Sequence, residues 1–210
     1  MTPSPQRFEA GAQSRTIALD DGSTVILAPR STLEVAGRHQ ERMALSGGAW
    51  FDVRHDPSRA LTIEADGVQI SDIGTQFDVQ AAGGQVRVEV AEGKVEVRSD
   101  AMAQPVRLTQ GRSLSYDPKQ GTALVRPVAN NDIGEWRSGR LSFDMAPLTL
   151  VAADLSRYAG VEVTVDESLR SRAFSGTLVI NNGDAAVRDL TQLMGLGLAG
   201  SAGDYRIEPR

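Results

Sequence analysis

The chain has 210 residues, 40% of them hydrophobic and 23% charged, with a formal net charge of −5 and no cysteine. That composition is ordinary for a folded globular protein, and the length is sufficient for a buried core. It excludes disulfides, thiolate metal sites and cysteine nucleophiles, and it provides no general electrostatic attraction to nucleic acid or anionic lipid.

Residues 1–14 are polar and rich in Pro, Gly and Gln, and read as a loose lead-in. They contain no apolar signal region, and no run in the chain approaches the roughly 20 apolar residues of a membrane helix. Work outside the cytoplasm would therefore depend on a segment upstream of this chain. From Arg15 onward, short alternating segments predict strands at 16–19, 24–27, 33–36, 42–45, 49–54, 61–65, 68–72 and 75–80. Further strands are expected at 86–90, 94–98, 106–108, 113–116 and 123–127. Asp21-Gly22 and Glu92-Gly93 read as hairpin turns, because glycine supplies the positive φ such turns need. Gly22, Gly47, Gly67, Gly93 and Gly111 recur at a loose interval. That spacing leaves open a rolled or solenoid-like sheet and an irregular sandwich or jelly roll.

Residues 129–135 read as a linker between an all-β domain at 15–128 and a second domain at 136–210. Within the second, a strand at 140–143 leads to a helix with Pro147 as its first residue. Its apolar face is Leu148, Val151, Leu155 and Tyr158, and Gly160 stops it. A return strand follows at 161–165. The unit then repeats: strand 174–180, a helix capped by Asp184 with Val187, Leu190, Leu193 and Met194 on its apolar face, a stop at Gly195, and strands at 196–199 and 205–208. The expected fold class is mainly β with an α+β C-terminal module, built as a tandem β-α-β arrangement of order β-α-β-β-α-β-β.

Five ordered motifs carry a family resemblance: Leu19-Asp-Asp-Gly-Ser23, Leu45-Ser-Gly-Gly-Ala-Trp-Phe-Asp-Val53, Ile73-Gly-Thr-Gln-Phe-Asp-Val79, the segment Val86 to Val97, and Leu108-Thr-Gln-Gly111. They are similar to the periplasmic portion of the FecR family of bacterial anti-sigma regulators. The stretch from Trp136 through Leu141, Phe143, Pro147-Leu148 and Arg157-Tyr158 resembles the short N-terminal module shared by secretins and TonB-dependent receptors. The chain departs from the family pattern at Gly48, where Glu is usual, and at Leu61, where Phe is usual. The resemblance implies a periplasmic regulator that binds the N-terminal signalling domain of a TonB-dependent outer-membrane transducer. It would relay iron–siderophore-type signals to an extracytoplasmic-function sigma factor. Sigma-factor binding and membrane attachment would lie in a cytoplasmic segment and a helix upstream.

Chemistry-bearing patterns are sparse. His39 and His55 have no partners at metal-ligand spacing, and there is no nucleophile elbow, P-loop or dinucleotide fingerprint. No metal or cofactor is expected. One dipeptide, Gly74-Thr75, can support covalent chemistry: the threonine hydroxyl attacks the preceding carbonyl, and glycine on the acyl side tolerates the distorted peptide. Asp72 and Asp78 are near enough in sequence to help move the proton. The resemblance leaves both outcomes open, since some FecR-like regulators self-cleave at the matching Gly-Thr while others carry the dipeptide and stay whole. A glycine bend leading into a buried threonine accounts for the same residues without chemistry.

For recognition, the expected partner-binding residues are Trp136, Leu141, Phe143 and Phe174, on the second domain and the groove between domains; sheet edges there offer strand addition. Packing is the competing role, above all for Trp136, Leu141 and Phe143. The alternative function is a β-rich carbohydrate-binding or hydrolytic protein, which needs a cleft of converging carboxylates or aromatic rings. A structural piece of a secretin or receptor is a third possibility, and it needs transmembrane strands.

Overall fold

The computed structural model describes residues 4–210 except Pro57, Ile73, Gly83 and Lys119. Residues 1–3 of the expected lead-in and Ile73 of the third motif thus lie outside the described residues. The chain divides into two compact units, Met1–Gly134 and Glu135–Arg210. Among the described residues no helix is long and apolar enough to cross a membrane.

Unit 1 is built from strands β1 (Gln6–Glu9), β2 (Arg15–Ala18), β3 (Thr24–Leu27), β4 (Thr32–Ala36), β5 (Arg42–Ser46), β6 (Gly48–Asp52) and β7 (Leu61–Ala65). It continues with β8 (Val68–Asp72), β9 (Gln76–Ala82), β10 (Gln85–Glu92), β11 (Lys94–Arg98), β12 (Val106–Thr109), β13 (Arg112–Asp117) and β14 (Thr122–Pro127). Gln6–Glu9, expected within a loose lead-in, is a strand. It pairs antiparallel with β4, and Phe8 packs against the core opposite Leu33, burial that a composition-based reading cannot see.

The strands form two seven-stranded sheets, ordered β1-β4-β5-β7-β8-β11-β12 and β14-β13-β10-β9-β6-β3-β2. Within each sheet the spatial order follows the chain order. A jelly roll would place sequence-distant strands side by side; here the chain winds back and forth between two faces and advances, giving the rolled architecture. Alternation supplies the driving force. In β10, Val86, Val88 and Val90 point into the core and Arg87 and Glu89 point away. Both sheets contribute to one apolar cluster, in which Phe51 of β6 and Phe77 of β9 stack with ring centroids 5.0 Å apart.

The Glu92-Gly93 hairpin is corrected by this topology. β10 pairs with β9 and β13, while β11 pairs with β8 and β12, so Gly93 turns the chain from one sheet into the other. Gly47, Gly74 and Gly111 sit at the other corners of this kind, all with positive φ, whereas Gly22 and Gly67 join strands that do pair. At the Gly22 turn, Asp21 accepts from the backbone N–H and the hydroxyl of Ser23 at 2.9 and 2.7 Å, the reason for the acidic residue in the first motif.

Unit 2 contains β15 (Arg140–Pro147), α1 (Leu148–Tyr158), β16 (Glu162–Val165), β17 (Ala173–Val179), α2 (Gly183–Met194), β18 (Gly197–Ser201) and β19 (Asp204–Glu208). β15 and β17 form an antiparallel ribbon; β19 lies between β16, to which it is parallel, and β18, to which it is antiparallel. The tandem β-α-β order therefore gives two small sheets with two helices. α1 buries Leu148, Val151, Ala152 and Leu155. Two details of α2 differ from expectation. Its cap is Asn182, whose side chain accepts from the Ala185 N–H at 3.0 Å, while Asp184 instead accepts from the Tyr205 hydroxyl at 2.8 Å. Its buried face is Ala186, Val187, Leu190 and Thr191, leaving Leu193 70% exposed, because the helix is rotated toward its small residues.

A 3-10 turn at Glu167–Leu169 carries a titratable reporter. Asp166 accepts from Arg206 Nη2 at 2.8 Å and from the Ser168 hydroxyl and N–H at 2.7 and 3.1 Å, and these bonds, the arginine first, lower its pKa to about 2. A carboxylate depressed in the folded state stabilises the fold above its unfolded pKa of about 3.9, and that contribution is lost as pH falls toward 2. Carboxyl-detected NMR titration is expected to place Asp166 near 2 and to move it up toward the ordinary aspartate range in Arg206→Ala. A midpoint unchanged by that substitution would remove the assigned cause.

Candidate functional site

The corner between β8 and β9 brings together the residues with chemical potential. Asp72 closes β8, Gly74 makes the turn at φ +143°, and Thr75 leads into β9. Asp72 and Thr75 are both buried, at 2% and 4% exposure. One carboxylate oxygen of Asp72 accepts from the Gly74 N–H at 3.0 Å and from the Thr75 hydroxyl in a short hydrogen bond. The threonine proton is thereby directed at a carboxylate, and the hydroxyl oxygen stands three atoms (Cβ, Cα and N) from the carbonyl carbon of Gly74 in the covalent order of the chain, the spacing that closes a five-membered ring. The same bonds close the corner, so structure and chemistry use one geometry.

Two distant segments complete the site. A Cβ on Gly93 would stand 2.4 Å from Thr75 Cγ2 and 3.1 Å from the Gly74 carbonyl oxygen, so the bare glycine seats the threonine methyl and the carbonyl together. A Cβ on Gly74 would stand 2.4 Å from His55 Cα and 2.7 Å from His55 Nδ1. The strand exit at Val53–His55 is held over this corner by Val53 N–H donating to the Thr75 carbonyl at 2.9 Å and Arg54 N–H donating to Ser23 Oγ at 2.9 Å. Positive φ and close approach both demand glycine at position 74.

Of the two aspartates named as proton carriers, the structure places Asp72 on the threonine. Asp78 lies along β9 opposite Trp50 and accepts from Gln80 Nε2 at 2.8 Å, with no bond to Thr75 among those the structure describes. His55, expected to be a solvated or loop histidine, is exposed and outside any strand, and the sequence carries no sign that it lies against Gly74 or that Gly93, expected in a hairpin turn, seats Thr75. Neither carries a local signal, because each reaches the corner from about twenty residues away through sheet topology. Among the described residues no group of three or more His, Cys, Asp or Glu is placed to hold a metal ion.

The four expected partner-binding side chains are all buried in unit 2. Trp136 stacks on Tyr158 at 5.2 Å, Phe143 meets Phe174 at 5.9 Å, and Leu141 lies opposite Leu178. Their role in the structure is packing: alternation along β15 and β17 turns Leu141, Phe143 and Phe174 inward, and Trp136, in the 3-10 turn Glu135–Ser138, is covered by Tyr158. The apolar side chains that face solvent in this unit are Val179, Met145 and Leu193, at 57%, 64% and 70% exposure. Met145 occupies a β-bulge in β15 at φ +50°, an uncommon backbone for a bulky residue, with its N–H donating to Ser175 Oγ at 2.8 Å.

Comparison with known proteins agrees with this architecture. Residues 6–96 match the family model FecR, "FecR protein". No curated protein sequence matches the chain. Two crystal structures of a protein assigned as an anti-sigma factor, from Parabacteroides distasonis ATCC 8503, are similar in fold. One aligns with TM-score 0.89 at 18% identity, covering 99% of this chain and all of the other. The second aligns with TM-score 0.88 at 18% identity, covering 98% and 99%.

Proposed function

We propose that this chain, whose residues 6–96 match the FecR family model, is the periplasmic signalling region of an anti-sigma regulator. In this reading unit 2 receives the N-terminal signalling domain of a TonB-dependent outer-membrane transducer. An iron–siderophore-type signal then passes to an extracytoplasmic-function sigma factor through segments outside this chain. The observation that carries the reading is the family match on a two-unit fold that also aligns, end to end, with an assigned anti-sigma factor. Support for the docking side comes from the β15–β17 ribbon, which pairs with no third strand among the described residues and exposes Val179 and Met145.

The test is a pull-down and calorimetric titration against the soluble signalling domain of the transducer encoded beside it. Val179→Asp and Met145→Asp are expected to weaken binding about 5- to 30-fold, the effect of removing one or two interface anchors. Leucine at either position is expected to bind nearly normally. Absence of a complex with any such domain would overturn the proposal.

The same reading includes a single-turnover self-cleavage at Gly74-Thr75. Thr75 Oγ1 gives its proton to Asp72 and attacks the Gly74 carbonyl carbon. The Gly74–Thr75 C–N bond breaks as an ester forms on Thr75 Oγ1, with the Thr75 nitrogen taking up a proton to leave as an amine. Water then hydrolyses the ester, giving back the hydroxyl, a new Gly74 carboxylate and a net proton that the amine takes up. The shared hydrogen bond from Thr75 to Asp72, beside a positive-φ glycine, supports this step.

A further inference from the structure

We propose that His55 is the proton donor to the Thr75 nitrogen in this cleavage, a role that rests on the self-cleavage reading above. An N-to-O acyl shift needs two proton movements. One leaves the attacking hydroxyl, and Asp72 is placed to accept it. The other must reach the amide nitrogen as its bond to Gly74 breaks, because an unprotonated amide nitrogen is a poor leaving group.

His55 is the residue at hand for the second movement. Its Nδ1 occupies the space a Gly74 side chain would fill, against the acyl residue of the bond that breaks. Its approach is fixed by two backbone bonds from the residues just before it. Val53, two residues earlier, bonds the carbonyl of Thr75 itself, and Arg54 is tied through its N–H to the Asp21–Ser23 turn. The imidazole is exposed, so it can recover its proton from solvent after donating it. Glycine at position 74 therefore does two things: it permits φ +143°, and it admits the histidine to the reacting peptide. The balance closes. His55 gives one proton to the departing amine, Asp72 returns the hydroxyl proton at ester hydrolysis, and of the two protons of the attacking water one returns to His55 and the other protonates the freed Thr75 amine.

Freshly translated full-length chain, followed by intact mass, tests the assignment. His55→Ala and His55→Gln are expected to slow the appearance of the two fragments about 100-fold, the usual scale for a positioned acid. Added imidazole is expected to restore His55→Ala at least about tenfold and to leave Thr75→Ala uncut. Thermal unfolding, measured on the same substitutions in a Thr75→Ala background, is expected to be unchanged. Fragments appearing at the wild-type rate in both His55 variants would overturn the role while leaving the self-cleavage intact. So would a slowing that tracks lost thermal stability and ignores imidazole. A wild-type chain that stays whole would instead overturn the self-cleavage reading, and the two failures are thus separable.

Discussion

Thr75→Ala is expected to give one uncut chain on a denaturing gel, and the wild type is expected to give two fragments meeting at Gly74 and Thr75. Under native conditions the two forms are expected to elute alike. The topology is the reason. A break after Gly74 leaves β1, β4, β5, β7 and β8 of one sheet and β2, β3 and β6 of the other with the first fragment. The second fragment keeps β11 and β12 of the one, and β9, β10, β13 and β14 of the other. Two antiparallel seams then hold the halves. Ser71, Ile70 and Gln69 of β8 pair with Glu96, Val97 and Arg98 of β11, and β6 from Gly48 to Asp52 pairs with β9 from Gln80 to Gln76. The apolar core crosses both seams. Native gel filtration of wild-type protein checks this, and fragments eluting as separate species would refute it. Thr75→Ser is expected to keep cutting, since it retains the hydroxyl, and Asp72→Asn to slow the cut by about 100-fold through loss of the proton acceptor.

Phe77→Ala, in the uncut Thr75→Ala chain, is expected to destabilise unit 1 by about 3–5 kcal/mol, the range for truncating a buried phenylalanine. Phe77 and Phe51 are fully buried, stand opposite each other in the β6–β9 register and stack at 5.0 Å with planes 13° apart. Removing one ring leaves a cavity and strips the other of its stacking partner, worth roughly a further 0.5–1.5 kcal/mol beyond area alone. Urea unfolding followed by Trp50 fluorescence in a Trp136→Phe background measures it, since the chain has two tryptophans, one per unit. A loss under about 1 kcal/mol would show that this seam is not closely packed. Because the pair spans the seam, the same substitution in the cutting chain is expected to let the fragments separate at lower urea than the parent.

Strand positions were legible in the sequence because each strand buries one face, so alternation marks it without knowledge of its neighbours. The segments 24–27, 61–65, 68–72 and 94–98 were read with the bounds the structure has. Pairing was not legible. Asp21-Gly22 and Glu92-Gly93 look alike locally, yet the first joins two paired strands and the second carries the chain between sheets. Turn chemistry reports only that φ is positive; which strand lies alongside is decided by the packing of both sheets over one core.

The site divides the same way. Sequence by itself pointed to Gly74-Thr75, with Asp72 three residues from the threonine, because the proposed chemistry is local and follows from residue type. It also determined that Trp136, Leu141, Phe143 and Phe174 are large apolar groups of the second unit, but not that they face inward. Only the tertiary structure decided between Asp72 and Asp78, brought His55 onto Gly74, and gave Gly93 the task of seating Thr75. Those relations join segments about twenty residues apart, and long-range strand order, invisible to any local pattern, is what closes such distances.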